Sequence, residues 1–358
     1  MYRKMFTMMV LMALLALQFG NVSHSVKAIQ CSPQQGQLLI DGGQYEQAIA
    51  EFTCLIDTHP DEVEGYRGRI EARVLLGRYS DAMRDFTLIT ARIVPEYPDI
   101  VTTILADYSS RLAADPVNVP ALTGKSFIQW SDFNYPAAIQ TLNQLLMVKP
   151  DSLYGNLFLG SSRLLKGVSK SKGIANLERA IELAPNNPDV RFIVADAYTY
   201  GLPDPQRAYA EAILALNGGL NTPRVHAILA SSYLSFGDMS SAAEHIKIHI
   251  DMVTTEFVTT NPMDPETTDT LELVPGRTYS IPVPAVAGET ISITTRSSDY
   301  WDTILVLLDP NGIPLAGGDD SWFYFAELDW EAEVTGTHLL RVTFFESVNI
   351  GELVVTRN

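Results

Sequence analysis

The stretch Gly43-Gln44-Tyr45-Glu46-Gln47-Ala48-Ile49-Ala50-Glu51-Phe52 decides the reading of this chain, because Gly43, Tyr45, Ala48 and Phe52 return 34 residues later as Gly77, Tyr79, Ala82 and Phe86. A fixed period of this length is the mark of stacked helical hairpins. Each residue type has a physical job. Gly permits the tight turn between two helices, and Tyr closes the start of the second. A small Ala lets helices approach, and the large Phe fills the space between hairpins. Spaced three and four apart, Tyr45, Ala48 and Phe52 share one helical face.

Outward from this motif, the first hairpin runs from about Cys31 to His59 and stops at Pro60, and the second runs from Val63 to about Ile93. The period then breaks: Tyr97 to Ala114 reads as a single helix without a preceding partner. Regularity resumes at Val119, with Tyr135, Ala138, Leu142 and Pro150 in register although Phe133 stands where the turn glycine belongs. Further copies carry Gly160, Gly167, Ala180 and Pro185, then Val194, Ala195 and Tyr198, and last Leu229, Ala230, Tyr233, Gly237 and Ala242. Together these resemble the tetratricopeptide repeat family over about Cys31 to Asp251, as six hairpins and one odd helix.

The resemblance implies an α-solenoid whose first helices line a concave groove that binds a protein or peptide partner. Residues on those helices outside the packing set are Phe127, Trp130, Tyr154, Leu157, Leu164, Phe192, Asp196 and Tyr200. Phe127, Trp130, Tyr154, Leu157, Phe192 and Tyr200 are expected as an apolar wall with Asp196 adding polarity. The competing reading for each is packing against the neighbouring hairpin. Some family members clamp a C-terminal carboxylate with Lys and Asn on the first helix; here that helix reads Gln34-Gln35-Gly36-Gln37-Leu38-Leu39, so that role is not carried over.

The chain has 358 residues with 25 Lys+Arg against 42 Asp+Glu, a net charge of −17. That balance argues against nucleic acid and against docking on anionic lipid, and it suits solubility. Arg3 and Lys4 precede an apolar run from Met5 to Phe19, and Val26-Lys27-Ala28 presents small residues at both positions a signal peptidase reads. Residues 1–28 are therefore expected to be a signal peptide, giving a secreted or cell-surface chain; an uncleaved anchor is the alternative. The only cysteines, Cys31 and Cys54, have their midpoint in the first hairpin's turn, which brings them to one height. In an oxidising compartment this favours a disulfide; two buried thiols are the other reading.

Composition changes after Asp251. Residues 252–268 read as a Thr-, Pro- and Asp-rich linker, and 269–358 as strands of alternating residues that build a β-sandwich. Strands are expected at Thr278 to Val283, Thr290 to Thr295, Thr303 to Leu308, His338 to Phe345 and Glu352 to Thr356, with Asp309-Pro310-Asn311-Gly312 a strong turn. The order of phrases, Gly288-Glu289-Thr290-Ile291, then Asp302 to Gly312, then Leu315 to Asp320, then Gly336-Thr337-His338, resembles the bacterial pre-peptidase C-terminal domain. That family is a jelly-roll-like, non-catalytic module associated with substrate or surface binding and sometimes with calcium; His338 replaces its usual Tyr. Asp302, Asp309, Asp319 and Asp320 fall in or beside turns, so they are read either as oxygen ligands for calcium or as turn-forming residues.

Catalytic motifs are missing from the sequence: there is no Gly-x-Ser-x-Gly elbow, no His-Glu-x-x-His and no phosphate-binding Gly-rich loop. His245 and His249, four apart with Glu244 and Asp251 close by, have the spacing of two metal ligands on one helix, which alone is not a catalytic site. The expectation is an exported, non-enzymatic scaffold holding a protein partner in the helical groove, with the β domain binding a partner or surface polymer. The alternative is an accessory of a secreted protease or surface-polymer-binding system in which the β domain carries the binding.

Overall fold

The computed structural model describes residues 31–90, 99–274, 276–297, 303–319, 327–344 and 351–357. The expected signal, 1–28, lies outside them, and no helix of the described residues is long and apolar enough to cross a membrane.

Among the described residues thirteen α-helices come first. The hairpins are α1 (Pro33–Asp41) with α2 (Tyr45–Thr58), and α3 (Val63–Leu76) with α4 (Tyr79–Leu88). The odd helix α5 is Ile100–Ala114. Then follow α6 (Val119–Ser131) with α7 (Tyr135–Val148), α8 (Leu153–Leu165) with α9 (Lys170–Leu183), α10 (Pro188–Asp196) with α11 (Pro205–Asn217), and α12 (Pro223–Phe236) with α13 (Met239–Val253). Local chemistry sets the ends. Ser32, Asn118, Ser152, Asp204 and Thr222 each accept a backbone N–H of the helix they open. Gly77 and Gly237 close α3 and α12 in the left-handed region, at φ 86° and 77°.

The repeated Phe does what its spacing implies. Phe52 is fully buried, and its ring occupies the space that a Cβ on Gly36 or on Gly68 of the next hairpin would enter. Tyr108 of the odd helix uses Gly124 of α6 in the same way. Charge fixes α5 as well: both terminal nitrogens of Arg111 donate to the buried Glu71 carboxylate at 2.8 Å. Cys31 and Cys54 are joined as a disulfide, Cα atoms 5.9 Å apart, stapling α1's entry to α2.

Among the described residues nine strands follow: β1 (Glu256–Thr259), β2 (Thr267–Leu273), β3 (Arg277–Ala285), β4 (Thr290–Ser297), β5 (Thr303–Leu308), β6 (Pro314–Asp319), β7 (Glu327–Glu331), β8 (Gly336–Phe344) and β9 (Gly351–Arg357). They form two sheets, β1-β3-β8-β5-β6 and β2-β9-β4-β7, around a shared apolar core. The stretch 252–268 is thus more than a linker: β1 pairs in parallel with β3, Phe257 opposite Thr278.

The two halves meet over the last hairpin. Leu305 and Leu307 point into the sandwich core, while Ile304, Val306 and Leu308 pack with Ala227, Ala230, Ala243, Ile246 and Ile250 of α12 and α13. β5 is therefore buried on both faces, not half-buried as period two alone implied. Gly317 of β6 lets α13 lie on the sheet, since a Cβ there would come within 2.5 Å of Ile246 Cδ1. Asp251 accepts from Arg341 at 2.7 Å across the same junction.

Candidate partner-binding surface

The expected groove wall is not an open wall. Phe127, Trp130, Tyr154, Leu157, Phe192 and Asp196 are all buried; only Tyr200 keeps partial exposure. Three of the aromatics make a packed cluster around Phe158. Tyr154 stacks on it at 4.6 Å between centroids, Trp130 meets it edge-on at 4.9 Å, and Phe127 at 5.8 Å. Trp130 Nε1 donates to Ser161 Oγ at 3.2 Å, and the Tyr154 hydroxyl bonds Ser126 Oγ at 3.0 Å.

What covers this wall comes from far upstream. Tyr79, one of the repeated tyrosines, crosses the groove and meets Phe158 edge-on at 5.2 Å and Tyr154 at 6.1 Å. The next backbone N–H, of Ser80, donates to Asp189 Oδ1 at 2.6 Å, a contact spanning 109 residues. Burial, with Asp189 nearby, pushes the Tyr79 phenol well above its ordinary range. The superhelix is wound tightly enough for the second hairpin to plug the groove of later ones. The groove anchors are consequently core residues.

The surface left open lies at the groove's mouth. Phe133, in the α6–α7 turn, is 70% exposed and sits at φ 56°, the left-handed region that a bulky side chain avoids. Its ring meets Tyr135 edge-on at 6.3 Å. Burial raises the Tyr135 phenol to about 12, with Asp196 adding to the shift and Arg224 opposing it. Arg224 Nε donates to Asp196 Oδ1 at 2.9 Å, and its guanidinium lies over the Tyr200 ring at 5.5 Å. A π-helical turn, Ala197–Gly201, ends this helix and carries Tyr200. Such turns concentrate at functional positions. Gly201 within it is pressed against the Leu164–Leu165 backbone, where a Cβ would come within 2.7 Å.

Of the expected groove residues, then, Tyr200 joins this surface, with the buried Asp196 holding Arg224, and Phe133, Tyr135 and Arg224 complete it. The signal for Phe133 was its place at the turn glycine's position. Tyr135 follows Phe133 by two residues in the same hairpin, whereas Arg224 comes from the last hairpin to Asp196 of α10 and Tyr200 of its π-helical turn, a juxtaposition no local spacing encodes. Two aromatic rings, a phenol and a neutralised guanidinium suit recognition of an apolar or aromatic side chain beside a polar group.

Elsewhere the sequence-derived sites resolve differently. Asp309 accepts the N–H groups of Asn311 and Ile313 at 2.8 and 2.7 Å, so its carboxylate serves its own turn. Asp319 is placed in β6 by its backbone only, while Asp302 and Asp320 lie outside the described residues. Among the described residues no group of three or more His, Cys, Asp or Glu is placed to hold a metal. His245 and His249 do not converge: one meets His226, the other the Pro223 carbonyl at 2.9 Å.

The profile of the tetratricopeptide repeat family matches residues 34–98. The helical part is a solenoid of tetratricopeptide-repeat type. Among solved structures, a tetratricopeptide repeat protein from Parabacteroides merdae is 17% identical over 63% of this chain and 78% of its own, with a TM-score of 0.38. A thermophilic repeat protein of Thermus thermophilus is 19% identical over 56% of this chain and 97% of its own, TM-score 0.37. The pre-peptidase C-terminal domain of a Bacillus anthracis collagenase is 17% identical over 29% of this chain and 95% of its own, TM-score 0.24. No curated protein matches.

Proposed function

We propose that this protein is an exported, non-catalytic scaffold that holds a protein partner at the mouth of its helical groove, through Phe133, Tyr135, Tyr200 and the Arg224–Asp196 pair. Repeat solenoids of this type are interaction scaffolds, which supports the general reading. The observation that carries the particular surface is Phe133, a large apolar side chain kept exposed at a backbone conformation that costs stability. A chain selected for folding alone would place glycine there, as it does at Gly77 and Gly237. Recognition is then the seating of an apolar or aromatic side chain against the exposed Phe133 ring, without turnover.

The sandwich is proposed as a secondary module resembling a pre-peptidase C-terminal domain. A cavity of about 440 Å³ among Pro265, Pro284, Val286, Glu289, Thr335 and Arg357 favours a second reading, in which the sandwich itself carries the binding in an accessory of a protease or surface-polymer system. Calcium is not needed for either reading.

The test is capture from the secreted and surface fractions of the source organism with residues 29–358, beside a Phe133→Gly, Tyr200→Ala double variant. Loss of the captured protein by the variant supports the groove-mouth surface. Equal capture by both moves recognition elsewhere, and its abolition by Glu289→Ala assigns it to the sandwich. Point variants are required, because a cut after Asp251 would strip the sheet from Ile246 and Ile250.

A further inference from the structure

The last hairpin contains a contact that neither repeat packing nor partner binding uses. His226 of α12 is buried, and its Nε2 lies 2.8 Å from Asn221 Oδ1. Its Nδ1 lies 2.8 Å from Nδ1 of His245 on α13. A carboxamide oxygen only accepts, so Nε2 of His226 carries hydrogen and its Nδ1 is bare in the neutral ring. His245 must then donate its Nδ1–H to His226. The tautomers of both rings are fixed by one hydrogen-bond chain, Asn221–His226–His245.

This chain responds unequally to protons. A first proton goes to Nε2 of His245, where it leaves the His–His bond intact. Burial holds His245 below its ordinary value, Glu244 of α13 opposes this by favouring the cation, and the Tyr233 ring of α12 is stacked on it at 5.5 Å and 12°. The Tyr233 hydroxyl is held in turn by Tyr209 of α11 at 3.3 Å. A second proton has only Nδ1 of His226 to occupy, where the His245 hydrogen already points. It would set two imidazolium rings, 5.1 Å apart, against each other in a partly buried site. Burial, with His245 and His249 adding to it, holds His226 down at about 4.

The hairpin so joined is also the sandwich's seat. Ala227 and Ala230 of α12 and Ala243, Ile246 and Ile250 of α13 form one apolar cluster with Ile304, Val306 and Leu308 of β5. His226 adjoins Ala227 and His245 adjoins Ile246, so parting α12 from α13 splits that cluster.

We propose that the His226–His245 pair is an acid-sensitive latch that closes the last hairpin and thereby fixes the sandwich to the helical array. Above the latch's acid limit the two parts move as one body. Below it, double protonation opens α12 from α13 and frees the sandwich while the upstream repeats stay folded. The direction follows from linkage: a histidine held below its unfolded value stabilises the closed form at neutral pH, and that contribution is lost as pH falls towards its folded value.

Energy transfer between dyes on Gln206→Cys and Glu333→Cys, both exposed positions, reads the separation of the two parts, with far-ultraviolet circular dichroism reporting the helices. Transfer is expected to hold steady from pH 7 to about pH 5 and to fall reversibly towards pH 4, with helix content retained. In His226→Gln, which takes no second proton, the fall should vanish or move down by about a pH unit or more. If that variant does not fold, His245→Gln reads the same latch from the other side. A fall unchanged in the histidine variants, or abolished by Asp251→Asn instead, overturns the proposal in favour of the Asp251–Arg341 pair. Loss of helix content together with transfer, at the same pH in parent and variants, overturns it as well.

Discussion

Helix α8 and strand β5 were both expected to keep one face open, and both are enclosed on every side, but their sequences announce this differently. β5 reads Thr303-Ile304-Leu305-Val306-Leu307-Leu308, an unbroken apolar run with no polar face to give to water. Its two-sided burial is written in its composition. α8 carries Tyr154, Leu157, Phe158 and Leu164 among Gly and Ser residues. Aromatics on such a helix look alike whether they await a partner or are covered by the chain's own Tyr79. Composition suffices for a strand between two layers; a solenoid groove must be seen closed.

Three substitutions press on this contrast. Tyr79→Ala should have the largest effect, because it withdraws the ring that closes α8. A loss of about 3–5 kcal/mol, the usual range for truncating a buried aromatic, is expected in urea unfolding. Binding of an environment-sensitive apolar dye should rise as Tyr154 and Phe158 come open; an unchanged midpoint would mean that the groove is closed without Tyr79. Next, Gly317→Val forces a side chain between β6 and Ile246, and overpacking should cost about 1–3 kcal/mol. Differential scanning calorimetry should then resolve two transitions where the parent shows a coupled one; a single unshifted peak would show that the sheet and α13 are not in tight contact. Smallest and opposite in sign, Phe133→Gly should stabilise by about 1 kcal/mol through relief of the left-handed conformation. A gain in melting temperature together with loss of partner capture would separate Phe133's role in recognition from any role in folding.

Much of the architecture was legible because it is local. The 34-residue return of Gly, Tyr, Ala and Phe places six hairpins, and the break before Val119 marks the unpaired α5. The strands β3, β4, β5, β8 and β9 were visible as alternating or apolar runs. β6 was not, since Pro314-Leu315-Ala316-Gly317-Gly318-Asp319 has little strand preference; its small residues exist to seat α13. β7 alternates acids with Leu328 and Trp330, a charged edge that reads as surface loop. The site was legible only in part. Phe133 stood out by occupying a glycine's place and Asp196 and Tyr200 were named as groove residues, whereas Arg224 comes from the next hairpin and reaches them through the stacking of the repeats. Periodicity reports a residue's neighbours one turn or one repeat away; it says nothing of Tyr79 and Tyr154, brought together across 75 residues.

The seating of β5 on α13 also fixes an order of events while the chain is being made. Ile246 and Ile250 leave the ribosome about ninety residues before Leu339, whose strand pairs β5 and completes the surface that shelters them. At the usual pace of synthesis that leaves them bare for on the order of 5 to 20 s. During that interval the newest hairpin is a sticky end, and any helper that keeps this chain from clumping has its natural foothold there.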